Sequence, residues 1–143
     1  MNDPIYEPHD TLGGLINIVA FRMRHEFDTR LHAFGLDMLV WPVLVRLWQN
    51  DGVPQAQIAG CLCIPGYAIS RGVDRLEAAG MVVRRADPGN RRVRLVFLTE
   101  AGRAIQRVLL PLAQETNHRV LSLLEEGEQA QLLGLLRKIV QGI

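Results

Sequence analysis

Cysteine is nearly absent, with Cys61 and Cys63 the only two in 143 residues. Two positions apart, they share a face in a strand and point apart on a helix, and neither arrangement builds a disulfide framework. No long apolar run exists either. The longest, Leu12 to Phe21, is ten residues and contains Asn17, well short of the roughly 20 that a helical bilayer span requires. Met1-Asn2-Asp3-Pro4 carries no basic n-region, so no secretory leader is expected. Lysine occurs once, as Lys138, against fifteen arginines. These absences exclude a disulfide-stapled scaffold and a helical membrane protein. They predict a reduced, cytoplasmic one.

Catalytic signatures are missing too. There is no H-E-x-x-H, no G-x-x-x-x-G-K-[ST], no G-x-S-x-G and no Cys/His ligand spacing, so neither an enzyme nor a cofactor or metal site is expected. His25 and His32 are seven apart on one helical stretch. That is about 10 Å along the axis, too far for a single ion. His9 and His118 are expected at a surface or interface. No basic residue lies close to Cys61 or Cys63 to lower a thiol pKa, so both read as small core residues rather than redox sensors.

What is present is apolar material, at 48% of residues, in a chain of single-domain length. A monomer of this size would struggle to hide it all, which points to a subunit interface. After a polar lead-in, Asp10 or Thr11 can cap a long helix. Leu12, Leu15, Ile16, Val19, Met23, Phe27, Leu31 and Phe34 keep the i, i+3/i+4 ladder up to a stop at Gly35. A second helix opens at Leu36-Asp37, with Asp37 as cap and Trp41, Leu44, Val45 and Trp48 as its apolar side. Pro42 sits late for a first-turn proline and predicts a slight distortion. A short helix follows over 55–62, then a turn at Cys63-Ile64, then another helix from Pro65-Gly66. After Thr99 the pattern predicts a long helix to about Leu124, kinked at Pro111. Glu125-Glu126-Gly127 breaks it, and Glu128 to Val140 forms the last.

The remaining stretch, 65–99, organises the others. Ile69, Val73 and Leu76 mark a buried helix face. Tyr67, Arg71, Asp74 and Ala78 lie opposite, flanked by Ser70 and Arg75. Gly80 suits the left-handed residue past a helix end. Val83 and Arg85, then Val93, Leu95 and Phe97, follow a strand period of two around an Asp87-Pro88-Gly89-Asn90 turn. Thr99 can cap the next helix. Arg84 and Arg85 alternate in direction, so one faces outward and the other pairs within the protein. Residues 71 to 94 hold seven arginines against three acids, a local +4, in a chain whose net charge is +1. Two short helices joined by a tight turn, followed by a cationic hairpin, make a winged helix-turn-helix. Its charge is placed where phosphate backbones would attract it.

With that order in view, the chain resembles the MarR family of bacterial transcription regulators. The stretches that carry the likeness are GLDMLVWPVLVRL (35–47), QAQIAGCL (55–62) and SRGVDRLEAAGMVVRRADPGNRRVRLVFLTEAG (70–102). The resemblance implies a mostly α fold of about six helices and one β-hairpin wing. Long N- and C-terminal helices (10–34 and 100–143) would serve dimerisation, and a winged helix-turn-helix lobe (36–98) would bind DNA, within one domain spanning 1–143. It implies a homodimer on double-stranded DNA of pseudo-palindromic sequence, a repressor by expectation, released in many relatives by a small phenolic or other aromatic effector.

Residue by residue, the resemblance places Arg91 and Arg92 in the minor groove, where a guanidinium suits a narrow, negative channel. It puts the readout on Tyr67, Ser70 and Arg71, with Arg71 toward a guanine in the major groove or a phosphate and Tyr67 toward a phosphate or a thymine methyl, and it makes Arg75 a backbone clamp. A salt bridge from Arg75 to Asp74 or Glu77 is the alternative. Two departures stand out. The family's wing-tip aspartate is Asn90 here, which accepts a hydrogen bond but carries no charge. The recognition helix opens with Pro65-Gly66-Tyr67-Ala68, where polar base-readers often sit. Phe34 and Trp41 are the candidate effector-pocket residues, with plain hydrophobic core as the other reading. A winged helix used only for protein–protein assembly shares every helical feature. The arginine cluster is what separates the two.

Overall fold

The computed structural model describes residues 8–62 and 64–143. The side chains of Cys61 and Cys63 lie outside the described set, as does the lead-in up to Glu7. The order is a 3-10 turn (Pro8–Asp10), α1 (Leu12–His32), α2 (Trp41–Gln49), β1 (Val53–Pro54), α3 (Gln55–Leu62), α4 (Gly66–Ala78), β2 (Val82–Asp87), β3 (Asn90–Leu98), α5 (Glu100–Ala104), α6 (Gln106–Leu121) and α7 (Glu126–Gly142). The fold is mostly helical with a small antiparallel sheet, as the sequence implied.

Local chemistry sets most boundaries. Thr11, rather than Asp10, caps α1, its Oγ1 accepting from the Gly14 amide at 3.0 Å. Past α4, Gly80 takes φ +72°. The amides of Gly80 and Met81 return to the carbonyls of Glu77 and Leu76 at 3.0 and 2.9 Å, closing the helix end. Thr99 caps α5, accepting from the Gly102 amide at 3.2 Å while donating to the Gly80 carbonyl at 2.7 Å.

Several boundaries differ from the sequence expectation. α2 begins at Trp41, not at Leu36-Asp37, so Pro42 falls in the first turn, where no amide bond is lost. The buried face of α2 is Val43, Leu44 and Leu47, while Trp41 and Trp48 are half-buried. The wing is the larger part of a three-stranded sheet, ordered β1-β3-β2, because Val53 and Pro54 pair with Val96 and Leu95. A proline is tolerated there because β1 is an edge. The helix is interrupted at Ile105, between α5 and α6, and α6 continues through Pro111. α5 and α6 together are therefore one interrupted helix. Glu125 and Glu126 open the last helix rather than break the one before. The Glu128 carboxylate accepts from the Glu125 amide at 2.8 Å as part of a capping box.

The core lies in the winged lobe and where α1 meets it. Leu31, Leu44, Leu47, Ile58, Ile69, Val73, Leu76, Val82, Val96 and Leu109 are fully buried, each worth about 1.5–3 kcal/mol relative to exposure. Phe27 meets Trp41 edge to face with centroids 4.6 Å apart, and Trp41 meets Trp48 at 5.8 Å. Trp48 Nε1 donates to the Gly102 carbonyl at 2.9 Å, tying α2 to α5. On the outside, Arg30 reaches Glu115 at 3.0 and 3.3 Å, and Arg119 reaches Glu26 at 2.5 Å, joining α1 to α6. The bond from Arg30 holds the Glu115 carboxyl below the usual carboxylate range. What the pair contributes is present above that range and is lost as pH falls through the lowered value.

The terminal helices leave apolar surface uncovered. Leu12, Leu15, Ile16 and Val19 on α1 are exposed. So are Leu132, Leu135, Ile139 and Val140 on α7, a 17-residue helix with no buried residue at all. Among the described residues no helix is long and apolar enough to cross a membrane, and no group of three or more His, Cys, Asp or Glu side chains could hold a metal ion.

Candidate nucleic-acid interface

α4 buries Ile69, Gly72, Val73 and Leu76 against the lobe. At 100° per residue, Tyr67, Arg71, Asp74 and Ala78 then face outward, and all four are exposed. Arg71 carries its guanidinium 6.0 Å from the Tyr67 ring centroid, so these two sequence-predicted residues meet as one cation–aromatic unit. Ser70 is half-buried on the flank toward the wing.

Arg84 occupies that flank. Its Nη2 donates to Asp74 Oδ1 at 2.6 Å and to the Ser70 carbonyl at 3.4 Å, Nη1 to Glu77 Oε1 at 3.2 Å, and Nε to Gln55 Oε1 at 3.0 Å. Its amide donates to Glu77 Oε2 at 3.1 Å. One β2 side chain thus ties the wing to both helices of the helix-turn-helix. Arg85 points the other way, exposed, with its guanidinium 5.5 Å from the Phe97 ring. The alternation expected of this pair is what the strand shows.

At the wing tip, the Gly89 amide donates to Asp87 Oδ1 at 2.9 Å and the Arg92 amide to Asn90 Oδ1 at 3.1 Å. Asn90 therefore still braces the turn with a neutral acceptor. Arg91, Arg92 and Arg94 are exposed, and among the described residues none of them, nor Arg71, forms an ion pair. Arg75 differs. It pairs with Asp37, between α1 and α2, and not with Asp74 or Glu77, which Arg84 engages.

Between α1 and residues 37–39 lies an open cleft of about 550 Å³. Phe21, Arg24, His25, Asp28, His32, Asp37 and Met38 are among its lining. The Phe21 and His25 rings are stacked at 6.3 Å within 9° of parallel. A smaller cavity of about 160 Å³ shares Arg24 and Met38 with it and adds Phe27, Trp41 and Thr116. Of the two pocket residues expected from sequence, Trp41 lines the smaller cavity and Phe34 lines neither. Arg24, exposed on α1, is a lining residue that the sequence analysis does not single out. Sequence reasoning also missed the reach of Asp37 beyond its local cap. Neither carries a sequence signal, because each is defined by a neighbour far away in the chain.

Comparison with known proteins agrees with this geometry. A family model described as the MarR family matches residues 34–93. The HTH-type transcriptional repressor NicR of Pseudomonas putida is 34% identical over 135 residues, covering 94% of this chain and 85% of that one. The crystal structure of a probable transcriptional regulator from Pseudomonas aeruginosa superposes with TM-score 0.82 at 32% identity, over 93% of this chain and 99% of its own. The S. aureus MepR–DNA complex shares the fold with TM-score 0.82 at 24% identity, over 93% of this chain and 98% of its own.

Proposed function

Because the chain belongs to the MarR family of DNA-binding transcription regulators, we propose that it acts as a homodimeric repressor on a pseudo-palindromic operator. The observation that carries this is the set of exposed arginines that form no ion pair among the described residues on α4 and the wing, Arg71, Arg91, Arg92 and Arg94, in a chain of net charge only +1. Cations placed this way are costly to gather and useful against phosphate. Tyr67, Ser70 and Arg71 face the major groove, and Arg91 and Arg92 enter the flanking minor groove. The uncovered apolar faces of α1 and α7 supply the dimer interface, each copy covering the other.

A small aromatic effector is taken by the larger cavity. The stacked Phe21 and His25 offer a ring surface, and Arg24, with no ion pair among the described residues, offers a contact for an anionic substituent. An occupant that prefers a different spacing of the two lobes would release the DNA.

One titration tests the reading. Binding of the full chain to duplex DNA flanking its own gene should fall steeply and log-linearly with salt, with a slope of about −0.9 per phosphate contacted. Benzoate in the same titration should weaken binding. Absent or salt-insensitive binding would favour the assembly-module reading, and an inert benzoate series would remove the cavity from the mechanism.

A further inference from the structure

The recognition helix is gripped on two opposite flanks. On the wing side Arg84 holds Ser70, Asp74 and Glu77. On the other side Asp37 Oδ2 takes Arg75, and one turn earlier α4 presses Gly72 onto the Leu39 backbone. A Cβ at Gly72 would stand 2.4 Å from the Leu39 carbonyl oxygen, so the helix and residues 37–39 are in direct backbone contact there. Those residues are themselves fastened. Asp37 Oδ1 accepts from the Leu39 amide at 2.9 Å, and Asp28 Oδ1 of α1 accepts from the Met38 amide at 2.8 Å.

We infer that Asp37 is a positioning residue for DNA recognition, and that Arg75 is the handle by which it sets the rotation of α4, not a phosphate ligand. The inference rests on the DNA-binding reading above. Its physical basis is the division of labour around the helix. Arg75 sits about 80° from Tyr67 around the helix axis, on the flank beside Gly72, and its partner Asp37 is mostly buried at 17% side-chain exposure. A carboxylate so placed holds a guanidinium at a fixed point. Between two such fixed points the outward strip of Tyr67 and Arg71 keeps one angle toward the groove. Removing one grip lets the strip rotate, which harms reading of base edges more than general attraction to phosphate. Asp37 also lines the larger cavity, so the grip and the cavity share a side chain.

Asp37→Asn isolates the pair, because asparagine keeps an Oδ1 for the Leu39 amide and loses only the charge. The full-length protein would be used to select duplexes from a random pool, and each variant compared on a selected and a scrambled duplex. The selected-to-scrambled affinity ratio should fall about fivefold in D37N, the scale of one ion pair. It should fall equally in R75Q and no further in the double variant, with the salt slope unchanged throughout. Tighter binding by D37N, additive losses, or a slope lowered in R75Q by about one phosphate per subunit would overturn the inference and return Arg75 to the DNA backbone. If the wild type selects no duplex, the DNA-binding reading itself fails. Amide exchange across residues 66–78 of the free protein then decides the grip alone. Faster exchange in D37N supports it, and unchanged exchange overturns it.

Discussion

Arg92→Ala is expected to lower operator affinity by about one and a half to four orders of magnitude while leaving the dimer and its thermal unfolding unchanged. The side chain is exposed and forms no ion pair among the described residues, so the free protein loses little when it is removed. Its backbone amide donates to Asn90 Oδ1, and alanine keeps that bond. On DNA a specific arginine contact is worth about 1–3 kcal/mol, and a dimer makes it twice, giving about 2–6 kcal/mol in total. Fluorescence anisotropy with labelled duplex at fixed salt measures the loss. Unchanged affinity would remove the wing from the account, whatever the neighbouring helix does.

The second large effect is expected far from the DNA. Leu135 is 53% exposed on a helix with no fully buried residue. A charged residue there, as in Leu135→Glu, would cost an isolated subunit little. In a dimer formed over α1 and α7 it removes about 1.5–3 kcal/mol of apolar burial from each copy, and it also forces a carboxylate into the interface. The dimer dissociation constant should rise at least a hundredfold by sedimentation equilibrium. Operator binding should drop to that of a single half-site, because the second reading head is no longer held at the same effective concentration. A variant that stays dimeric would place the interface elsewhere.

Much of this was legible in the sequence because it is written locally. Gly80, Thr99 and the Asp87–Asn90 turn announce the ends of α4, α5 and the wing through their own backbone preferences, and the structure uses each of them so. Alternation correctly separates Arg84 from Arg85. What was not legible is written between distant residues. β1 is two residues long and exists only because Val53 finds Val96; no periodicity can show in so short a strand. The start of α2 was misplaced because Asp37 has a cap's chemistry but spends one oxygen on a turn and the other on Arg75, 38 positions away. The same pairing turned Arg75 away from the intrahelical partners that spacing offered. Phe34 is aromatic and lies just past α1, but the lining comes from Phe21, Arg24 and His25, about two and a half to three and a half turns earlier in the chain.

Protection mapping on the DNA flanking the protein's own gene tests the central claim most directly. Two copies holding two recognition helices at the groove repeat should protect a pair of inverted half-sites centred about 10–10.5 base pairs apart on one face of the duplex, with protection extending into the adjoining minor grooves under the wings. A single short footprint from a monomer, or uniform coverage without half-site spacing, would contradict it.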